Sequence, residues 1–226
     1  DEKKSHDLAH HYGCLIAGLT GFFLMHVTEP FIEAYLAELL PPQTGYLKEL
    51  RAFAEAEGVP IVDVQVENFL NFFLPLLGAK KILELGTAVG YSASMMAKAL
   101  PEAEITTVEL DPDRAINART HFQNQQLEDR VRLIVGDAEE FIQTDEGSYD
   151  FIFIDAAKGQ YEIYLKESLR LLSEGGVILM DNVLFHGMLA SKKLFKRRKI
   201  TIVKRLKRLL RRVLNAHDLS ATVLPI

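Results

Sequence analysis

From Lys80 onward, short and almost wholly apolar runs alternate with longer stretches whose apolar residues recur every three or four positions. The apolar runs are Lys81–Leu85, Glu104–Glu109, Val131–Val135, Tyr149–Ile154 and Gly176–Met180. Runs of this length, bounded by turn formers, read as strands buried on both faces. Between them Ser92–Ala99, Pro112–Asn124, Ala138–Thr144 and Tyr161–Leu172 carry helical spacing. Strand and helix in alternation predict an α/β fold, a doubly wound and mainly parallel sheet. Residues 200–215 predict a further helix with Ile202, Leu206, Leu209 and Val213 as its apolar stripe, and Ala221–Ile226 predicts a last strand.

Ahead of this alternation the pattern is helical. Pro30–Leu40 sets Phe31, Tyr35 and Leu39 on one face and ends at Pro41-Pro42. Tyr46–Glu57 reads as a second helix stopped by Gly58, and Val66–Leu77 as a third. Residues 1–28 form an atypical apolar segment: Cys14–Val27 is nearly all apolar, but its 14 residues fall short of the ~20 needed to span a bilayer. Lys3 and Lys4 precede it, diluted by Asp1, Glu2 and Asp7, so a packed amphipathic helix or a non-native leader is expected rather than an anchor. Residues 29–226 then form a single domain.

Composition narrows the classes. The chain has 226 residues, 48% apolar and 25% charged, as a soluble globular domain does. Cys14 is its one cysteine, which excludes a disulfide framework or a thiolate zinc site and fits a reducing, cytoplasmic setting. The net charge of −5 hides an asymmetry. Twelve Lys or Arg and no acid lie between Lys192 and Arg212, and setting those aside leaves −17 on the remainder. Such a block is either a solvated helix face or a contact for a polyanion.

The candidate chemistry sits where strands end. Asp155-Ala156-Ala157-Lys158 follows one strand and Asp181-Asn182 another. Ligands of open parallel sheets collect beyond the carboxyl ends of the strands. Two carboxylates and an amide carbonyl there suit a hard divalent cation such as Mg²⁺, with the Lys158 amine beside it. Glu84-Leu85-Gly86-Thr87-Ala88-Val89-Gly90-Tyr91-Ser92 leads from the first strand into a helix, whose N–H groups can receive an anion. Alanine at 88 interrupts the dinucleotide fingerprint, which disfavours a nicotinamide dehydrogenase. Glu109, 23 residues past Gly86, ends the second strand where an acid accepts from ribose hydroxyls, and Asp137-Ala138 is placed to meet an adenine ring.

Together these strings, with Gly159-Gln160-Tyr161 and Val183-Leu184-Phe185, resemble the metal-dependent, catechol-type class I O-methyltransferases, and within them the bacterial tRNA 5-hydroxyuridine methyltransferases. The likeness runs from about Phe31 to Ile226. It implies a Rossmann-like fold with extra N-terminal helices. It also implies S-adenosylmethionine held by Val62, Glu84, Gly86, Ser92, Glu109, Asp137, Ala138 and Asp155; Mg²⁺ on Asp155, Asp181 and Asn182; Lys158 as the base; and a homodimer touching through the helices before Lys80. The family continues past Leu-Pro-Ile into a Gly-Asp-Gly antiparallel edge strand, which is therefore either missing or beyond Ile226.

Methyl transfer from a sulfonium needs an oxygen nucleophile, and a hydroxyl beside a second oxygen can chelate the cation through both. Catechols offer that geometry, as does 5-hydroxyuridine. Lys192, Lys193, Lys196, Arg197, Arg198 and Lys199 follow closely on the metal-binding loop and would supply sequence-independent phosphate contacts. They favour a tRNA anticodon loop as partner and 5-methoxyuridine at the wobble position as product. The alternative is a small-molecule catechol or caffeoyl-type O-methyltransferase. A non-catalytic RNA- or membrane-binding module would leave Asp155, Lys158, Asp181 and Asn182 without purpose.

Overall fold

The structure, a computed structural model, describes residues 12–17 (as backbone), 30–40, 42–194 and 196–225. In chain order the strands are β1 (Tyr12–Ala17), β2 (Lys81–Leu85), β3 (Glu104–Glu109), β4 (Val131–Val135), β5 (Tyr149–Ile154), β6 (Leu172–Met180) and β7 (Leu219–Leu224). The helices are α1 (Pro30–Leu39), α2 (Tyr46–Ala56), α3 (Val64–Leu77), α4 (Tyr91–Ala99), α5 (Pro112–Asn124), α6 (Ala138–Thr144), α7 (Tyr161–Leu171) and α8 (Ile200–Leu214). The expected alternation is therefore present. Boundaries move by a few residues, most at β6, which begins four residues earlier than its apolar run.

The seven strands pair in the order β4-β3-β2-β5-β6-β1-β7, each neighbouring pair parallel. Alternate residues explain the apolar runs: Ile82, Phe151, Phe153 and Leu179 face a core under α2–α5, whereas Leu83, Leu85, Ile152, Ile154, Ile178 and Met180 face one under α6–α8. Both faces are dry, so no position could be polar without cost. The chain winds outward from β2 through β3 to β4, then returns to β5 on the other side of β2. That reversal opens a crevice between the carboxyl ends of β2 and β5.

Two expectations need correction, at residues 12–17 and at α8. Residues 12–17 of the apolar N-terminal segment form a strand, not a helix, and residues 18–29 lie outside the described residues. That strand lies between β6 and β7 in parallel register, Gly13 opposite both Val177 and Ser220, so β7 joins the sheet through β1. The α8 stripe is Val203, Leu206, Leu209, Leu210 and Val213, with Ile202 only half-buried. α1 forms as expected, yet its stripe faces outward: Phe31 is 70% exposed and Tyr35 and Leu39 60% each.

Candidate active site

One cavity of about 530 Å³ opens at the carboxyl ends of the central strands. Val62, Gly86, Ser92, Glu109, Asp137, Ala138, Asp155, Lys158, Asp181 and Asn182 all line it, so it gathers every site residue expected from the sequence except Glu84 and the basic segment.

The acidic corner follows from strand register. Ile154 pairs with Met180 across β5 and β6, so the next residues, Asp155 and Asp181, emerge side by side roughly one strand spacing (~4.8 Å) apart. The Asp181 N–H donates to the Ile154 carbonyl at 3.0 Å, and the Tyr161 hydroxyl donates to the Asp181 carbonyl at 2.9 Å, which fixes this loop to the sheet. Asp181 Oδ1 accepts from the Asn182 N–H at 2.6 Å, and Asn182 takes a left-handed φ of 53°. Lys158 Nζ stands 3.6 Å from Asp155 Oδ1 and 5.6 Å from the Tyr161 ring centroid. Burial raises the proton affinity of Asp155, against the pull of Lys158; it raises that of Asp181 further, with the Asp155 charge adding to the effect. Two desolvated acids sharing one amine are short of positive charge. Among the described residues no trio of His, Cys, Asp or Glu converges on a metal position. The donor set here is two carboxylates and an amide, which suits a hard cation on oxygen ligands.

The glycine-rich turn fills the next stretch of wall. Gly86 has a φ of +103°, and a Cβ there would fall on the Asp155 carbonyl oxygen. Its lack of a side chain thus serves the close approach of two loops at the crevice, beyond the room for a ligand inferred from sequence. Gly90, φ +84°, caps α4 where a Cβ would meet the Phe122 ring at 2.8 Å. Ala88 is left-handed at φ 48°, and its N–H donates to Glu109 Oε2 at 2.7 Å. Glu109 Oε1 accepts from the Asp111 N–H at 2.9 Å. Each oxygen keeps a lone pair for a hydroxyl pair on a ligand.

Two expected residues sit differently. Asp137 lines the cavity but caps α6, its Oδ1 accepting from Glu139 N–H at 2.6 Å and Glu140 N–H at 3.3 Å. Glu84 lies beneath the cavity wall, fully buried, and accepts from the Thr107 hydroxyl at 2.5 Å. Burial pushes its carboxyl up to about 8, although the nearby Ser92 and Thr107 hydroxyls oppose this.

A polar cluster absent from the sequence reading braces the wall. Glu67 Oε2 accepts from Arg51 Nη2 at 2.8 Å, from the Tyr91 hydroxyl at 2.8 Å and from Gln43 Nε2 at 2.5 Å. Arg51 also donates to the Val62 carbonyl at 3.2 Å, and its guanidinium lies 4.6 Å from the Tyr91 ring centroid. α2, α3 and the start of α4 are thereby tied together beside Val62 and Tyr91, both on the cavity wall. The available signal was Glu67 itself, an acid in step with Leu70 and Leu74 on the buried face of α3.

The basic segment lies outside the cavity. Lys193, Lys196, Arg197, Arg198 and Lys199 are exposed, and the Lys192 side chain lies outside the described residues. Lys196 and Lys199 still reach the site electrically. The proton affinity of His186, on the cavity wall at a left-handed φ of 55°, is lowered by burial first and then by Lys158, Lys196 and Lys199. His186, Arg114 and Tyr164 line the cavity with no motif to announce them, and Gln160 of the Gly159-Gln160-Tyr161 string lines it as well.

Comparison with known proteins agrees with this geometry. A family model described as O-methyltransferase matches residues 38–225. A catechol O-methyltransferase of Niastella koreensis is 35% identical over 164 residues, covering 69% of this chain and 74% of the relative. A caffeoyl-CoA O-methyltransferase of Populus kitakamiensis is 32% identical, covering 69% and 71%. The crystal structure of an O-methyltransferase from Bacillus cereus in complex with SAH superposes with a TM-score of 0.69 at 29% identity, covering 80% of this chain and 85% of that one. With five central strands, a cavity at their carboxyl ends and this match over most of its length, the chain belongs to the O-methyltransferase family.

Proposed function

We propose that this O-methyltransferase moves a methyl group from S-adenosylmethionine to one oxygen of a small molecule with two neighbouring oxygens, a catechol or caffeoyl-type acceptor, with a divalent cation's help. The observation that carries this reading is the meeting of Asp155, Asp181, Asn182 and Lys158 in the same cavity as the Gly86 turn and Glu109. Relatives named for catechol and caffeoyl-CoA support that acceptor class over the tRNA reading. The SAH complex of a similar structure supports the donor.

In this reading Glu109 accepts from the ribose hydroxyls and the open start of α4, at Ser92, receives the donor's carboxylate. Asp155, Asp181 and Asn182 would hold the cation, Mg²⁺ or Mn²⁺, which would supply a lowered pKa and a fixed direction for the acceptor hydroxyl. Lys158 Nζ accepts the hydroxyl proton. The deprotonated oxygen then attacks the methyl carbon, and the S–CH₃ bond breaks as the O–CH₃ bond forms.

A second reading keeps 5-hydroxyuridine of a tRNA anticodon loop as acceptor. It is supported by the exposed Lys193, Lys196, Arg197 and Arg198, of which Lys196 acts on His186 of the cavity wall. Labelled S-adenosylmethionine with Mg²⁺, offered to catechol, caffeoyl-CoA and hydroxyuridine-containing tRNA in parallel, separates the two. Transfer to the small acceptors, lost with EDTA, supports the first. Transfer to tRNA alone, falling steeply with salt, replaces it by the second.

We further infer a homodimer. Phe31, Tyr35, Leu36 and Leu39 on α1 and Phe72 (69% exposed) and Leu76 (70% exposed) on α3 expose large apolar side chains in the helices before Lys80, which support it. Sedimentation of the wild type and of Phe72→Asp/Leu76→Asp tests this, a monomer in the wild type refuting it. Among the described residues no helix is long and apolar enough to cross a membrane.

A further inference from the structure

Arg205 and Arg208, within the basic run between Lys192 and Arg212, reach toward the Lys158–Gln160 turn and the start of α7. Arg205 Nη1 donates to the Gly159 carbonyl at 3.0 Å. Arg208 makes a forked pair with Glu162, Nε to Oε1 at 2.8 Å and Nη2 to Oε2 at 2.7 Å. The partners are spaced alike: 205 and 208 are three apart on α8, and 159 and 162 are three apart across the start of α7, so two bonds run side by side. Gly159 is the middle of the one-turn helix Lys158–Gln160, and Lys158 opens it.

Besides the Lys158–Asp155 pair, α8 gives that turn its side-chain contacts at Gly159 and Glu162. The space around the Gly159 Cα is open, so packing does not fix it there. Its first turn is closed by Gln160 N–H donating to the Ala157 carbonyl at 3.0 Å. Below it, Tyr161 is anchored through its hydroxyl to Asp181. Above it stands α8, a firm rail because Val203, Leu206, Leu209, Leu210 and Val213 are buried.

We propose that Arg205 and Arg208 are positioning residues, which clamp the Lys158–Gln160 turn from α8 and hold the Lys158 amine beside Asp155. The proposal rests on the reading of Lys158 as proton acceptor. An exposed ion pair adds little to global stability, which is why this function must be sought in geometry. A shift of roughly 1 Å in a catalytic group can cost about a hundredfold in rate. It follows that part of the basic segment serves the reaction rather than a polyanion.

The test combines exchange with kinetics. In Arg205→Ala/Arg208→Ala, whose altered side chains are exposed in the wild type, amide exchange at 158–162 is expected to rise at least about tenfold while α8 stays protected. The kcat falls about tenfold or more, and KM for S-adenosylmethionine stays within about twofold. The swap Glu162→Arg/Arg208→Glu recovers most of the kcat that either single change loses. Unchanged exchange, unchanged kcat, or a swap no better than its singles overturns the clamp. Lys158→Met retaining full kcat overturns instead the reading of Lys158 as the base, and the positioning role falls with it. That outcome is distinct, because the exchange result does not depend on it.

Discussion

Removing the Glu67 carboxylate is the sharpest test of how the cavity wall is held. Glu67 is 8% exposed in its side chain and Arg51 16%, so Glu67→Ala strands a nearly buried guanidinium. Breaking a buried pair from one side costs about 3–5 kcal/mol. Arg51 retains the Val62 carbonyl at 3.2 Å and Gln43 Oε1 at 3.0 Å, which places the expected loss at the lower end, about 3 kcal/mol. For a domain of this size that is a fall in Tm of roughly 6–12 °C. Replacing both charges by apolar groups, in Arg51→Met/Glu67→Leu, strands nothing and should cost less than the sum of its singles by at least about 1 kcal/mol. Urea unfolding followed by circular dichroism reads all five proteins: the wild type, Glu67→Ala, the double and its two singles. A Glu67→Ala variant within about 1 kcal/mol of the wild type, or a strictly additive double, refutes the claim that this pair is buried and coupled. Tyr91 shares the cluster and lines the cavity, so weaker S-adenosylhomocysteine binding by Glu67→Ala, measured by calorimetry, is expected alongside.

Gly86→Ala combines a φ of +103° with a Cβ on the Asp155 carbonyl; a loss of about 3 kcal/mol or more is expected by urea unfolding, and a neutral result would contradict the loop geometry. Asp181→Asn should abolish the thermal stabilisation given by Mg²⁺ and lower methyl transfer about a hundredfold or more, whereas an undiminished Mg²⁺ shift argues against that carboxylate as a ligand. Glu84 titrates near 8 in the folded ligand-free protein and near 4.5 when unfolded. The folded state therefore holds a proton that the unfolded state releases, so this group's contribution is full below about pH 4.5 and is lost as pH rises through about 8. Glu84→Gln should flatten the stability profile between those values, and parallel wild-type and variant curves would show that Glu84 is not protonated in the fold.

Much of the site was legible because its residues sit at strand ends, where a change from apolar to polar is abrupt. Asp155 after Ile154, Asp181 after Met180 and Glu109 after Val108 each mark the point at which a dry strand reaches the crevice. Glu84 was legible as a residue, but its burial beneath the cavity wall was not, because whether an acid at a strand end faces the cavity or the core depends on pleat and twist. Asp137 was found as a cavity residue, while its capping bonds to Glu139 and Glu140 emerged only with the start of α6. The Arg51–Glu67–Tyr91 cluster joins three helices, and only the acid on an apolar face hinted at it.

Local periodicity by itself determined the strand–helix alternation and the five central strands, since dry strands and amphipathic helices write burial directly into the order of apolar residues. The tertiary structure alone decided which segments without such a signal meet. It set residues 12–17 between β6 and β7, turned the α1 stripe outward, and brought Arg205 and Arg208 to Gly159 and Glu162. Those outcomes depend on backbone pairing and on side chains about fifty residues or more apart, where the loop-closure entropy and the fit of whole elements decide, and no short window of sequence contains either.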